Sequence, residues 1–182
     1  MEQHLYFIAI VPPPHIRDEV CLIKKELCEN YGIKHALKSP AHITLQMPFR
    51  RSAGEETILI GALRHFAENM RPVPIVLDGF GSFPPGVIYI ALKGHSRLIA
   101  LRQELQKILS GPCGFSDTEM KHKFHPHMTV ATRDIPEASY NELWEIFGKR
   151  TFQASFVARG ITLLKHNGKY WEIFREFGPT QM

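Results

Sequence analysis

Two tetrapeptides constrain what this chain can fold into more than any other feature. His42-Ile43-Thr44-Leu45 and His127-Met128-Thr129-Val130 each set a histidine and a threonine two residues apart, alternating with apolar residues. A strand sends residues i and i+2 to one face and i+1 and i+3 to the other. As strands, the two runs bury Ile43, Leu45, Met128 and Val130. They then present His42 with Thr44, and His127 with Thr129, on their open faces. Ten histidines and eight threonines in 182 residues give about 0.4 His-x-Thr triplets by chance, so spacing alone is a weak signal. Context strengthens it, because both copies fall at the same place in a repeated layout.

That layout follows from hydrophobic periodicity. Leu5 to Val11 reads as a buried strand closed by three prolines, and residues 15–30 as an amphipathic helix through Val20, Ile23 and Leu27. Residues 33–41 read as a loop, and His42 to Met47 as a strand stopped by Pro48. Arg50 to Gly54 reads as a turn, Glu55 to Met70 as a second helix, and Val73 to Phe80 as a strand. A second round follows: strand 87–92, helix 96–109 with Ser96 as its N-cap, a long loop 111–124, strand 127–132, helix 137–147 and strand 152–158. Asn167-Gly168 then joins two last strands, 161–164 and 170–177, as a hairpin. The order is β-α-β-α-β twice and a hairpin. Short, partly alternating strands pack best as antiparallel sheets with helices on one face. The expected class is α+β: two pseudo-symmetric lobes, each an antiparallel sheet with helices on its outer face, with a cleft between them. The whole chain, 1–182, reads as a single bilobal domain.

Composition narrows the classes further. The chain is 44% hydrophobic and 22% charged, ordinary for a globular protein. No apolar run approaches the ~20 residues that span a bilayer. No basic stretch precedes an apolar one at Met1-Glu2-Gln3-His4, so no secretory signal is expected. Cys21, Cys28 and Cys113 form no CxxC pair, which fits free thiols in a reducing cytoplasm. The net charge of +4 fits a phosphate-bearing or nucleic-acid ligand, and is also unremarkable for a globular protein.

Singly, each histidine reads as an ordinary strand residue; as a matched pair they read as acid and base. Such a pair suits a reaction in which one group activates a nucleophile while another protonates a leaving oxygen, and imidazole suits both tasks near neutrality. Which histidine plays which part is open at this level. Thr44 and Thr129 can donate to phosphate oxygens. If alternation continues, Gln46 shares the face of His42, and Arg133 shares that of His127 and can clamp a phosphate. Lys121 and Lys123 are candidates to steer a phosphate-bearing or nucleic-acid ligand, and Phe49, Phe83, Tyr89 or Phe124 to stack on a base of such a ligand. His65, His95 and His166 read as surface or structural residues. His122, His125 and His127 lack the cysteine or acidic companions of a zinc site, so no metal and no cofactor is expected.

The paired motifs resemble the signature of the two-histidine (2H) phosphoesterase superfamily. Within it, the chain is most similar to the 2′-5′ RNA ligase-like proteins that act as RNA 2′,3′-cyclic phosphodiesterases. The 85-residue separation of the motifs, the repeated layout and the closing hairpin match as well. The resemblance implies His42 and His127 as catalytic residues, with Thr44 and Thr129 beside them. It also implies metal-independent action on RNA, or on a nucleotide with a cyclic phosphate, by a cytoplasmic monomer that binds no membrane. Two departures bear on specificity. Gln46 and Pro48 stand where many members are apolar, and Arg133 lies one position beyond the arginine that often follows the second motif. Ligation in the same site, joining 2′,3′-cyclic phosphate ends to 5′-hydroxyl ends, is the alternative within the fold. A non-catalytic RNA- or nucleotide-binding module is the alternative outside catalysis.

Overall fold

The computed structural model describes residues 2–178. Strands β1 (Gln3–Ile10), β2 (Ile43–Ser52), β3 (Val73–Phe83), β4 (Val87–Leu92), β5 (His127–Thr132), β6 (Gln153–Ala158), β7 (Ile161–His166) and β8 (Trp171–Phe177) form two sheets. Their orders are β2-β1-β7-β8 and β5-β4-β3-β6, with every pairing antiparallel. The helices are α1 (Pro14–Tyr31), α2 (Ala53–Glu68), α3 (Ser96–Ser110), a single turn α4 (Asp117–Met120) and α5 (Glu137–Phe147). The architecture is the expected α+β arrangement of two antiparallel sheets.

The two sheets are not the two halves of the sequence. β3, from the first round, crosses to the second sheet, and the β7–β8 hairpin completes the first. Adjacency explains this: β3 and β4 are separated by three residues, so they close as a hairpin before any distant pairing can compete. The exchange leaves β2 and β5, the two motif strands, as the outer strands of their sheets and as neighbours of each other.

One apolar core joins both sheets to the helices, with Ile8, Ile10, Leu45, Ile90, Met128, Leu105 and Leu143 all buried in it. Helix α1 contributes Ile16, Val20, Ile23 and Leu27, one face at three- and four-residue spacing. Gly32 stops it in the left-handed conformation, its N–H donating to the Cys28 carbonyl and the Ile33 N–H to the Leu27 carbonyl.

Five local readings need correction. Pro48 does not end β2, which runs on to Ser52; on an outer strand the missing N–H costs no ladder bond. Ser52 starts α2 with a reciprocal capping box to Glu55, so residues 50–54 are strand end and helix start, not a turn. Such a cap stabilises by about 1 kcal/mol. Ser96 is already inside α3, whose N-cap is His95 with no side-chain cap bond. The 33–41 loop contains a 3₁₀ turn at His35–Lys38, and the 111–124 loop contains α4, started by a capping box between Ser116 and Glu119.

Candidate active site

The outer edges of β2 and β5 face each other across a cleft of about 540 Å³. His42, Thr44, His127, Thr129 and Arg133 all line it. Each histidine is fixed in the same way. His42 Nδ1 lies 2.7 Å from the carbonyl oxygen of Pro40, and His127 Nδ1 lies 2.6 Å from that of His125. A carbonyl can only accept, so Nδ1 carries the hydrogen in both rings and Nε2 is left as the free nitrogen. Among the described residues no protein group engages the Thr44 or Thr129 hydroxyl.

The two imidazoles lie in different surroundings. Beneath His42 is a small apolar cluster of Phe7, Ala9, Val11 and Leu164, with the Phe7 ring 4.7 Å from the imidazole centre. Burial there is the main reason the His42 pKa falls to about 4, and the positive charges of Lys24 and His127 push it the same way. The hydrogen bond to Pro40 opposes the shift without overcoming it. His127 packs against the edges of Phe83 and Tyr89, at 5.1 and 5.0 Å. Its pKa is also lowered, chiefly by burial, with the bond to His125 opposing and the charge of His125 assisting. Both rings therefore favour the neutral form, His42 the more strongly.

The wall near Arg133 is cationic. Asp134 Oδ2 accepts from the backbone N–H groups of Lys34 and His35, each at 2.8 Å. This bond crosses between the lobes and seats the 3₁₀ turn, so that His35 and Lys38 join Arg133 in lining the cleft. Burial lowers the His35 pKa, and the charges of Arg133 and Lys38 lower it further. Among the described residues no carboxylate lines the cleft.

Gln46 is not in the cleft, which corrects the alternation argument. The β1–β2 register slips between Thr44 and Gln46. This bulge buries Leu45 and Gln46 in succession, and Gln46 is 1% exposed. Its amide nitrogen donates to the Glu119 carbonyl at 2.8 Å, away from any ligand. The same irregularity recurs in β5, between Thr129 and Ala131, and buries Val130 and Ala131 together. It turns Thr132 into the cleft, as the first bulge turns Met47. Arg133 reaches the cleft through its left-handed backbone (φ 70°), not through strand alternation.

The other candidates divide. Lys121 and Lys123 are exposed and do not line the cleft. Phe49 and Tyr89 are buried, Phe124 lies under the Arg102 guanidinium, and Phe83 packs on His127. The cleft's own aromatic rings are Phe7 and Trp171. His166, read as a surface or structural residue, lines it as well. Nothing in the sequence near the motifs points to Phe7, Trp171 or His166, since β1 and the last hairpin reach the site only through sheet pairing. Among the described residues no group of three or more His, Cys, Asp or Glu side chains is placed to hold a metal ion, and no helix is long and apolar enough to cross a membrane.

Comparison with known proteins adds relatives along the whole chain. A family model described as the 2′-5′ RNA ligase superfamily matches residues 12–169. GK0864 of Geobacillus kaustophilus, a candidate phosphoesterase by name, is 29% identical over 141 residues, 76% of this chain and 75% of its own. A candidate phosphoesterase of Bacillus pumilus is 24% identical over 174 residues, 94% and 95% of the two chains. Among solved structures, E. coli LigT complexed with 3′-AMP superposes with a TM-score of 0.65 at 21% identity, over 99% of this chain and 100% of that one. TT0787 of Thermus thermophilus gives 0.62 at 19%, over 96% and 97%.

Proposed function

Because this chain belongs to the 2′-5′ RNA ligase superfamily, we propose that it is a phosphoesterase opening 2′,3′-cyclic phosphates of RNA ends or related nucleotides. One observation carries the reading. Two histidines from separate outer strands face a single cleft, each with Nδ1 tied to a carbonyl and Nε2 free.

The surroundings of the two rings support a division of roles. His42, neutral at any pH well above about 4, is the general base. Its Nε2 takes a proton from water as the water oxygen attacks phosphorus. His127, less depressed, is the general acid, and its Nε2–H protonates the ribose oxygen as the P–O bond to that oxygen breaks. One bond forms, one breaks, and a phosphomonoester beside a free hydroxyl results. Thr44, Thr129 and Thr132 donate to the non-bridging oxygens, where charge accumulates. Arg133 supplies forked donors to the same oxygens. A cleft lined by cations and no carboxylate suits a dianionic transition state. The scheme uses no metal and acts within one copy of the chain.

The family name favours a second reading, the joining of a 2′,3′-cyclic phosphate end to a 5′-hydroxyl end through the same pair. Incubation with adenosine 2′,3′-cyclic phosphate, and with RNA carrying a cyclic phosphate end, tests both readings. Each is run with and without EDTA and 5′-hydroxyl RNA. Opening that resists EDTA and is lost in both His42→Ala and His127→Ala is the expected result. Joined product, without opening, selects ligation. Loss of activity in EDTA overturns the metal-free scheme. Neither product from the wild type, with RNA binding that survives both substitutions, leaves a binding module instead.

A further inference from the structure

The cleft does not end at Trp171. A second groove of about 390 Å³ lies beyond it, and Lys38, Ser39 and Trp171 line both spaces. Arg17 of α1 and Tyr170 of the β7–β8 turn form the far walls, and Asp18 is the groove's one carboxylate among the described residues. Tyr170 is 42% exposed. Trp171 is held edge-on between Phe7 and His166, with ring centres 4.7 and 4.9 Å away.

Lys24 lies under the shared wall. It is 4% exposed, and its Nζ donates to the Ser39 carbonyl at 3.0 Å. No carboxylate pairs with it in the ion pairs of the described residues. Burial lowers its pKa to about 8, so it remains mostly charged at neutral pH. An unpaired buried cation directs its field into whatever opening adjoins it. With Arg17 and Lys38, the groove therefore carries three positive side chains against one negative, together with two aromatic rings. A basic track interleaved with aromatic side chains is how proteins hold single-stranded nucleic acid without reading its sequence.

Chemistry fixes what could lie there. A 2′,3′-cyclic phosphate uses both ribose hydroxyl oxygens at the cleft, so a polymer substrate can continue only from the 5′ oxygen. We infer that the groove is a second nucleotide subsite, holding the nucleotide 5′ to the cyclic-phosphate end. Its linking phosphodiester lies against Lys38 and Arg17 and its base lies on Tyr170, so the preferred substrate is the end of single-stranded RNA. This inference rests on the cyclic-phosphate reading of the cleft.

The test compares kcat/KM for three substrates: adenosine 2′,3′-cyclic phosphate, its 5′-phosphorylated form, and the dinucleotide ApA ending in the cyclic phosphate. A stacked base and its phosphate predict a dinucleotide advantage of about ten- to a hundred-fold. Tyr170→Ala and Arg17→Ala bring that ratio close to one, and Tyr170→Phe keeps it. Equal rates for mononucleotide and dinucleotide overturn the subsite, as does a ratio untouched by both variants. A 5′-phosphate that alone matches the dinucleotide shows a phosphate site with no base contact, and overturns the nucleotide assignment. If no cyclic phosphate is opened, the reading of the cleft fails. Fluorescence anisotropy with a labelled oligoadenylate then still decides the groove: weakening in Tyr170→Ala and Arg17→Ala supports it, and unchanged affinity sinks it.

Discussion

β2 and β5 share a frame and differ in what fills it. Each is the outer strand of its sheet, and each has a histidine at its start (His127 as the first residue of β5, His42 just before the first residue of β2) whose Nδ1 is tied to the carbonyl two residues back. Each also bulges just after its threonine, burying two residues in a row and turning the next into the cleft. Beyond the bulge they part. β2 offers Met47 and Pro48, whereas β5 offers Thr132 and Arg133. Behind the histidines they part again, with an apolar floor and Lys24 near His42, and aromatic edges and His125 near His127. In the proposed scheme the two strands differ in chemistry because an acid and a base act in opposite protonation states. β2 brings an imidazole on an apolar floor together with the Thr44 hydroxyl, and β5 leads into the charge of Arg133 together with the Thr129 and Thr132 hydroxyls.

Removing either histidine tests that division most severely. His42→Ala and His127→Ala are each expected to lower kcat/KM by about 10²–10⁴-fold. The double variant should be little worse than the poorer single, because the two act as a unit. Multiplicative losses would break the pairing. The pH profile sharpens the assignment. Activity should fall as acid protonates His42 near pH 4, and fall again as alkali removes the His127 proton below the usual 6.5. The expected optimum of kcat/KM is therefore mildly acidic, and His127→Ala should abolish the alkaline limb of any residual activity.

Stability carries the next effect. The folded His42 pKa is depressed, so the unfolded chain binds its proton first as the pH drops. The neutral ring's contribution is fully present above the unfolded pKa of about 6.5 and is lost as the pH falls towards 4. At most this amounts to about 3 kcal/mol. Urea unfolding of the wild type and of His42→Gln between pH 4 and 7 checks it, and the variant should show the flatter slope. An equal slope in both would remove the asymmetry between the rings. Arg133→Gly is a smaller perturbation with two signs. Glycine relieves the left-handed backbone, worth about 1 kcal/mol of stability, while loss of the guanidinium should lower kcat/KM about ten-fold. Gln46→Leu should have the least effect on catalysis. It should cost roughly 1 kcal/mol through the lost bond to Glu119, visible in Tm, and leave KM unchanged. A raised KM would return Gln46 to the cleft.

The element types, the repeated layout and the two His-x-Thr pairs are legible along the chain, because they rest on short-range periodicity and on residues two apart. His42 and Thr44 lie close together along one chain whatever the fold does, and so do His127 and Thr129. Tertiary structure decided the rest. Pairing of β3 with β4 and of β7 with β1 chose which strands share a sheet, and so carried Phe7, His166 and Trp171 to a site far from them in sequence. A bulge is a property of two paired strands, invisible in either alone. It removed Gln46 from the cleft and admitted Thr132. The preference of His42 for the neutral form comes from the apolar cluster beneath it, assembled from β1 and β7, because desolvation depends on what surrounds a group and not on its neighbours in sequence.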